Sequence, residues 1–324
     1  MEFERESFRQ GGAAVKRERL IHGAKVISYR VSSARDPWEN KRITRAYPLT
    51  NRTGLNDMDI ERGLVKTSAG YIHYRAAGSG APIMLLHMNQ QSSAVYLEMM
   101  AVLGKEVRAI AIDYPSHGMS DHVYVQPTIA DYAKCVIEVM DALGVRKAGV
   151  LGESAGAAVA IELAVSFADR VEKIVLVNCP FYSDSKTSER NHGVLKSGAR
   201  PSDASGFPMT RTIEFMLEHD PAHAPMHPTQ SWMDRINRAQ LEAGRERWQA
   251  LDALRQYDIA ANLPRVRQPA MQLTGEHFIY VKFHPEFSAR MKDLRQHVIA
   301  GGRCCVGWEK AEDIGQKTLE FLRG

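Results

Sequence analysis

Apolar and polar positions change their rhythm several times along this chain. From residue 1 to about 63 the pattern is weak, with one strand-like run at Ala24-Lys-Val-Ile-Ser-Tyr-Arg-Val31 and turn signals at Asp36-Pro37 and Tyr47-Pro48. Lys16-Arg-Glu-Arg19 reads as the solvated face of a helix, with a partner-binding patch as the alternative. From Gly63 onward the pattern is regular. Leu64-Val-Lys-Thr67 and Tyr71-Ile-His-Tyr-Arg75, joined through Ala69-Gly70, predict an antiparallel hairpin. Pro82-Ile-Met-Leu-Leu-His87, Val107-Arg-Ala-Ile-Ala-Ile-Asp113 and Val171-Glu-Lys-Ile-Val-Leu-Val177 are the apolar runs of parallel strands covered on both faces. Thr128, with Asp131 three positions on, predicts a capped helix start, and Gly144 stops that helix after Leu143.

Between residues 179 and 262 the alternation breaks. Helical periodicity over 210–219 and 230–257 is interrupted by Pro201, Pro208, Pro221, Pro225 and Pro228. Strand patterns return at Ala270-Met-Gln-Leu-Thr274 and Gln296-His-Val-Ile299, and a helix over 309–322 closes the chain. His297, within that last strand, is expected to pack against the sheet. This order predicts an α/β class: a mostly parallel central sheet flanked by helices. Its core is 64–178 and 263–324, with 179–262 as an inserted helical cap and 1–63 as an N-terminal arm. Met209, Phe215, Met216, Trp232 and Trp248 read as the cap's own core before they read as a substrate wall.

A length of 324 residues suits one large α/β domain with an insertion. With 44% hydrophobic residues and no apolar stretch near the roughly 20 residues of a membrane span, no membrane association is expected. The first ten residues are densely charged and lack a secretory apolar core, so a cytoplasmic setting is expected. A net charge of +4, scattered along the chain, argues against nucleic-acid binding. The four cysteines show neither metal-ligand spacing nor a disulfide framework and are expected to be reduced. The N-terminal arm reads as a surface segment packed on the main domain, with a homo-oligomer contact or a piece of the active-site rim as the alternatives.

The chemistry concentrates at Ala148-Gly-Val-Leu-Gly-Glu-Ser154-Ala-Gly156, a short apolar run, a Gly-x-Ser-x-Gly turn and then an Ala-rich helix. A strand that turns straight into a helix holds its central residue in a strained conformation, and small flanking residues let a neighbouring chain come close. Ser154 then stands at the top of a parallel sheet beside helix N–H groups that can meet a developing oxyanion.

Two further segments complete a family pattern. Asp113-Tyr-Pro-Ser-His-Gly-Met-Ser-Asp121 is similar to the Asp-x-x-Gly-x-Gly-x-Ser turn after the fourth strand of the α/β-hydrolase fold superfamily, and His87-Met-Asn-Gln-Gln-Ser-Ser93 resembles its oxyanion loop. The resemblance runs from about Gly63 to the end of the chain. It implies hydrolysis of an ester or a related activated carbonyl compound, with Ser154 as nucleophile on a small-molecule substrate, no metal or organic cofactor, and the backbone N–H groups of Asn89 and Ala155 as oxyanion donors. By the same resemblance His87 and His117 hold turns, Asp113 fixes a loop, and Glu153 is solvent-facing or locally paired.

A serine hydroxyl needs a base, and the base an orienting acid. Where the family keeps the acid, Gly275-Glu-His-Phe278 has Phe278; where it keeps the base, Cys304, or else Arg303, stands in place of His. Three accounts follow. The triad is rebuilt from other residues, with His277, one position from the acid site, as the substitute, Glu276 beside it, His284 just beyond the loop, and Asp184 after the sixth strand, where some relatives keep their acid; Asn178, at the end of that strand, cannot serve as the acid. Alternatively, Ser154 and the oxyanion hole assist a lyase, decarboxylase or carbon–carbon cleavage reaction. In the third account the pocket only binds a ligand. The vicinal Cys304-Cys305 pair reads as buried and inert, with a reactive thiol as the alternative.

Overall fold

The computed structural model describes residues 5–7, 14–21, 24–31, 59–181 and 229–324. Two compact units divide the chain, 1–48 and 49–324.

In the first unit, β1 (Arg5–Ser7), β2 (Ala14–Ile21) and β3 (Ala24–Val31) form an antiparallel sheet in that order. The strand expected at 24–31 is present. The helix expected at Lys16–Arg19 is not: these residues sit inside β2, paired with β3 from Ala14 opposite Val31 to Ile21 opposite Ala24. Backbone pairing with a neighbouring strand decides the segment, and a local charge pattern does not report it.

In the second unit, strict alternation builds the sheet. Ile83 and Leu85 of β6 (Pro82–Leu86) point to one apolar cluster, and Met84 and Leu86 to the other. The sheet has eight strands in the order β11-β10-β9-β8-β6-β7-β5-β4. The predicted hairpin is β4 (Glu61–Thr67) with β5 (Gly70–Ala77), and it adds antiparallel to β7 (Arg108–Ile112). From β7 through β6, β8 (Ala148–Glu153), β9 (Val171–Val177), β10 (Ala270–Gly275) and β11 (Leu294–Ile299) all pairings are parallel. The carboxyl ends of these strands therefore share one edge.

One face is covered by α2 (Ile129–Ala142) and α3 (Ala155–Ser166), the other by α1 (Leu97–Leu103), α8 (Val306–Glu309) and α9 (Ala311–Arg323). The capping box of α2 forms as expected, with Thr128 and Asp131 exchanging backbone and side-chain hydrogen bonds. His297 does not pack against the sheet. It is exposed, because β11 is an edge strand with β10 as its one neighbour in the sheet.

The helical periodicity at 230–257 is realised as α4 (Gln230–Ala243), a tight 3-10 turn over Gly244–Trp248 and α5 (Gln249–Arg255). α6 (Ile259–Asn262) and α7 (His284–Ser288) are short helices before β10 and β11. Trp232 of α4 is buried, its ring stacked 5.0 Å from that of Trp308, and Trp248 packs half-buried against the α2–α3 side. The helix expected at 210–219, with Asp184, Met209, Phe215 and Met216, lies outside the described residues. No described helix is long and apolar enough to cross a membrane.

Candidate active site

Every residue of β8 is buried up to Glu153, and α3 begins at Ala155, which leaves one residue to reverse the chain. That residue, Ser154, adopts φ 53°, ψ −109°. A side chain held there costs about 1–3 kcal/mol, sustained by its surroundings. The surroundings are two contacts that tolerate no side chain. A Cβ on Gly152 would lie 2.0 Å from the Gly156 carbonyl oxygen, and one on Gly156 would lie 2.0 Å from that of Leu86. The Ser154 amide donates to the Val177 carbonyl at 3.0 Å, fixing the turn to β9.

Ser154 Oγ is within 3.5 Å of Asn89 Oδ1 on the loop after β6. The backbone N–H groups of Asn89 and Ala155 have no acceptor among the described residues. Ser154, Asn89 and Ala155 are thus brought together, with two free donors beside one hydroxyl.

The Asn89 loop is held from below. His87 is fully buried; its Nδ1 donates to the Met88 carbonyl at 2.7 Å and its Nε2 accepts from the Tyr114 amide at 3.1 Å. Burial drives its pKa down to about 3, so the ring stays neutral and can accept that bond. Asp113 accepts from the Ser93 amide through Oδ1, and from the Met119 amide and His73 Nδ1 (2.8 Å) through Oδ2. Burial by itself raises the Asp113 pKa, but the hydrogen bond and charge of His73 outweigh it and hold the carboxyl at about 2. His117 is buried on the same turn, bonded to the Pro115 carbonyl. His73 was not singled out in the sequence, although its place in β5, opposite Leu64 and beside Asp113, follows from the hairpin register.

Glu153 is not solvent-facing. It is buried, and its Oε1 accepts the amide of Gly307, far along the chain, at 3.2 Å. Its position as the last residue of an all-buried central strand dictates this.

The two loops where the family keeps its acid and base are joined by Asn178. This residue takes φ 42°, accepts from the Gly275 amide at 3.0 Å and donates through Nδ2 to the carbonyls of Arg303 (2.9 Å) and Cys304 (3.1 Å). Sequence reading saw Asn178 only as unable to act as an acid. His277 donates its backbone N–H to Gly302, and its half-exposed ring lies 3.9 Å from Glu276 Oε2. His284 Nε2 lies 3.0 Å from Thr274 Oγ1. Among the described residues no histidine or carboxylate hydrogen-bonds Ser154 Oγ. Cys304 and Cys305 are buried, free and in contact, with sulfurs 3.5 Å apart.

Comparison with known proteins bears on the family and the fold. A model of the alpha/beta hydrolase family matches residues 78–303. The chain is 30% identical over 168 residues to haloalkane dehalogenase 2 of Mycobacterium bovis, a match covering 49% of this chain and 57% of that protein, little more than half its length. It is 23% identical over 278 residues to the 2-hydroxy-6-oxo-6-phenylhexa-2,4-dienoate hydrolase of Comamonas testosteroni, covering 78% of this chain and 91% of that one. Among solved structures, a hydrolase from Pseudomonas aeruginosa superposes with a TM-score of 0.67 at 22% identity, covering 82% of this chain and 99% of the other. The enol-lactonase from Burkholderia xenovorans does so with 0.63 at 19%, covering 81% and 100%. At these identities the two structures show a shared fold.

Proposed function

Since the chain belongs to the alpha/beta hydrolase family, we propose that it hydrolyses an ester or a related activated carbonyl compound, with Ser154 as the nucleophile. The observation that carries this reading is the strained Ser154 turn set between two open backbone donors. In the proposed reaction the substrate carbonyl oxygen sits against the N–H groups of Asn89 and Ala155. Ser154 Oγ adds to its carbon, and the charge gathers on the oxygen where those donors await it. Collapse of the tetrahedral intermediate expels the leaving group, and water then releases the acyl chain from Ser154. An oxyanion hole without a full triad still gives on the order of a thousandfold to ten-thousandfold acceleration over water. That level of help suits a substrate with a good leaving group. His277 is the proposed proton acceptor, and residues 179–262 the proposed cap that sets substrate size.

Intact-mass labelling with a broad fluorophosphonate tests the reading. A single stoichiometric adduct is expected on the wild type, none on Ser154→Ala, and slowed labelling on His277→Gln. Equal labelling of wild type and His277→Gln removes His277 from the mechanism, and no labelling of the wild type removes the nucleophile.

A second reading has its own observation: the hydrogen-bond partner of Ser154 Oγ is Asn89, and among the described residues no base hydrogen-bonds it. A hydroxyl so placed can donate to a developing charge without being acylated, which suits a carbon–carbon cleavage or lyase reaction. The Comamonas relative named for a 6-oxo-dienoate is consistent with such a substrate. This reading predicts turnover of such a compound with little fluorophosphonate adduct. A protein that only binds ligand would show neither, but a rise in melting temperature with ligand that survives Ser154→Ala.

A further inference from the structure

Cys304 and Cys305 are neighbours in the chain, both are buried, and their sulfurs touch at 3.5 Å. The other two cysteines, Cys135 and Cys179, are buried singly in the core. The loop bearing the pair is fastened to the site at three points. Asn178 holds the carbonyls of Arg303 and Cys304, the Gly302 carbonyl holds the His277 amide, and the Gly307 amide holds Glu153, the residue before Ser154. A change of shape at residues 304–305 therefore reaches both shoulders of the candidate site.

We propose that Cys304 and Cys305 are a reversible modification site: they close to a vicinal disulfide by exchange with a small organic disulfide, and the closed ring slows chemistry at Ser154. In the first step the sulfur of one cysteine attacks the organic disulfide, forming a mixed disulfide and releasing one organic thiol. The sulfur of the other cysteine then attacks the protein-side sulfur and releases the second thiol. The cysteine pair loses two electrons and two protons, and both organic thiols leave with them. Burial of the pair favours a small linear disulfide, admitted by local opening of the loop, over a protein oxidant. Adjacent Cα atoms stand about 3.8 Å apart, below the roughly 4.4–6.8 Å of relaxed disulfides, so the ring is strained and easily reduced. Strained disulfides are the labile, regulatory kind.

The consequence for Ser154 rests on reading that residue as the nucleophile; formation of the ring does not. The experiment incubates the full chain with 2-hydroxyethyl disulfide, quenches with acid, alkylates under denaturing conditions and maps peptides by mass. The expected result is a 304–305 peptide lighter by two hydrogen atoms and unalkylated, with Cys135 and Cys179 alkylated as before. Dithiothreitol should reverse it, and Cys305→Ser should stop at a mixed disulfide on Cys304. Emission of Trp308, whose amide bonds the Cys305 carbonyl, should shift as the ring forms. Fluorophosphonate labelling should slow at least about tenfold, since a displacement of 1 Å costs on the order of 100-fold. A peptide still carrying two free thiols, or a stable mixed disulfide in the wild type, overturns the site. A closed ring with unchanged Trp308 emission and labelling overturns the switch. If the wild type is never labelled while the ring forms and Trp308 responds, the nucleophile reading fails and the modification site stands.

Discussion

Glu153 lies one residue before Ser154, and burial pushes its carboxyl up to about 8, against the opposing pull of the Gly307 amide. In the unfolded chain the same group ionises near its ordinary 4.5. Between these values the folded protein holds a proton that the unfolded chain has given up. Stability therefore falls as pH rises from about 4.5 toward 8 and levels off above. At pH 7 the cost is at most about 3 kcal/mol. Glu153→Gln keeps an oxygen for Gly307 and carries no charge. It is expected to raise stability by roughly 1–3 kcal/mol at pH 8, to have little effect at pH 4, and to flatten the profile between. Urea unfolding of both proteins across that range checks it; a less stable variant at pH 8 would mean Glu153 is ionised and paired. Asp113 has the opposite sign, since its folded pKa near 2 contributes stability that is lost only as pH falls through its ordinary 3.8 toward 2.

The elbow works because an element, α3, sits against the carboxyl ends of two strands with nothing between. Gly156 on its first turn faces the Leu86 carbonyl so closely that the 2.0 Å left for a Cβ is well inside contact distance. Gly156→Ala must therefore lift α3 from β6, carrying Ala155 and Ser154 away from Asn89. The expected cost is about 3 kcal/mol or more, at the upper end of overpacking penalties. Fluorophosphonate labelling should fall with it, although Ser154 is untouched. Thermal unfolding and labelling measured together check this; normal labelling in a destabilised variant would detach reactivity at Ser154 from the position of α3. At the same scale, Arg235 of α4 donates to Glu98 and to the Ala94 carbonyl, so this helix is clasped to the segment that follows the Asn89 loop. Helix α4 thereby steadies the segment after the Asn89 loop by a contact that no single segment announces.

Across the main sheet, order should follow position. β6, β8 and β9 have strands on both sides and helices on both faces, and β8 is buried throughout, whereas β4 alternates toward solvent at one edge and β11 at the other. Hydrogen exchange is expected to be slowest in β6, β8 and β9 and orders of magnitude faster in β4 and β11; uniform protection would contradict this ranking. The same whole-molecule view separates what was legible from what was not. The hairpin, the buried strands, the capped α2 and the Ser154 turn were readable, because each rests on period, steric limits or capping among residues a few positions apart. The sequence by itself therefore determined the α/β class and where the strained serine stands. Tertiary structure alone decided that Lys16–Arg19 belongs to a strand, that Glu153 is buried, and that Asn178 joins two loops. The reason is separation along the chain. Asn178 reaches residues 97, 125 and 126 positions away, and Glu153 one 154 away, so these contacts exist only once the parallel strands bring their carboxyl ends to one edge.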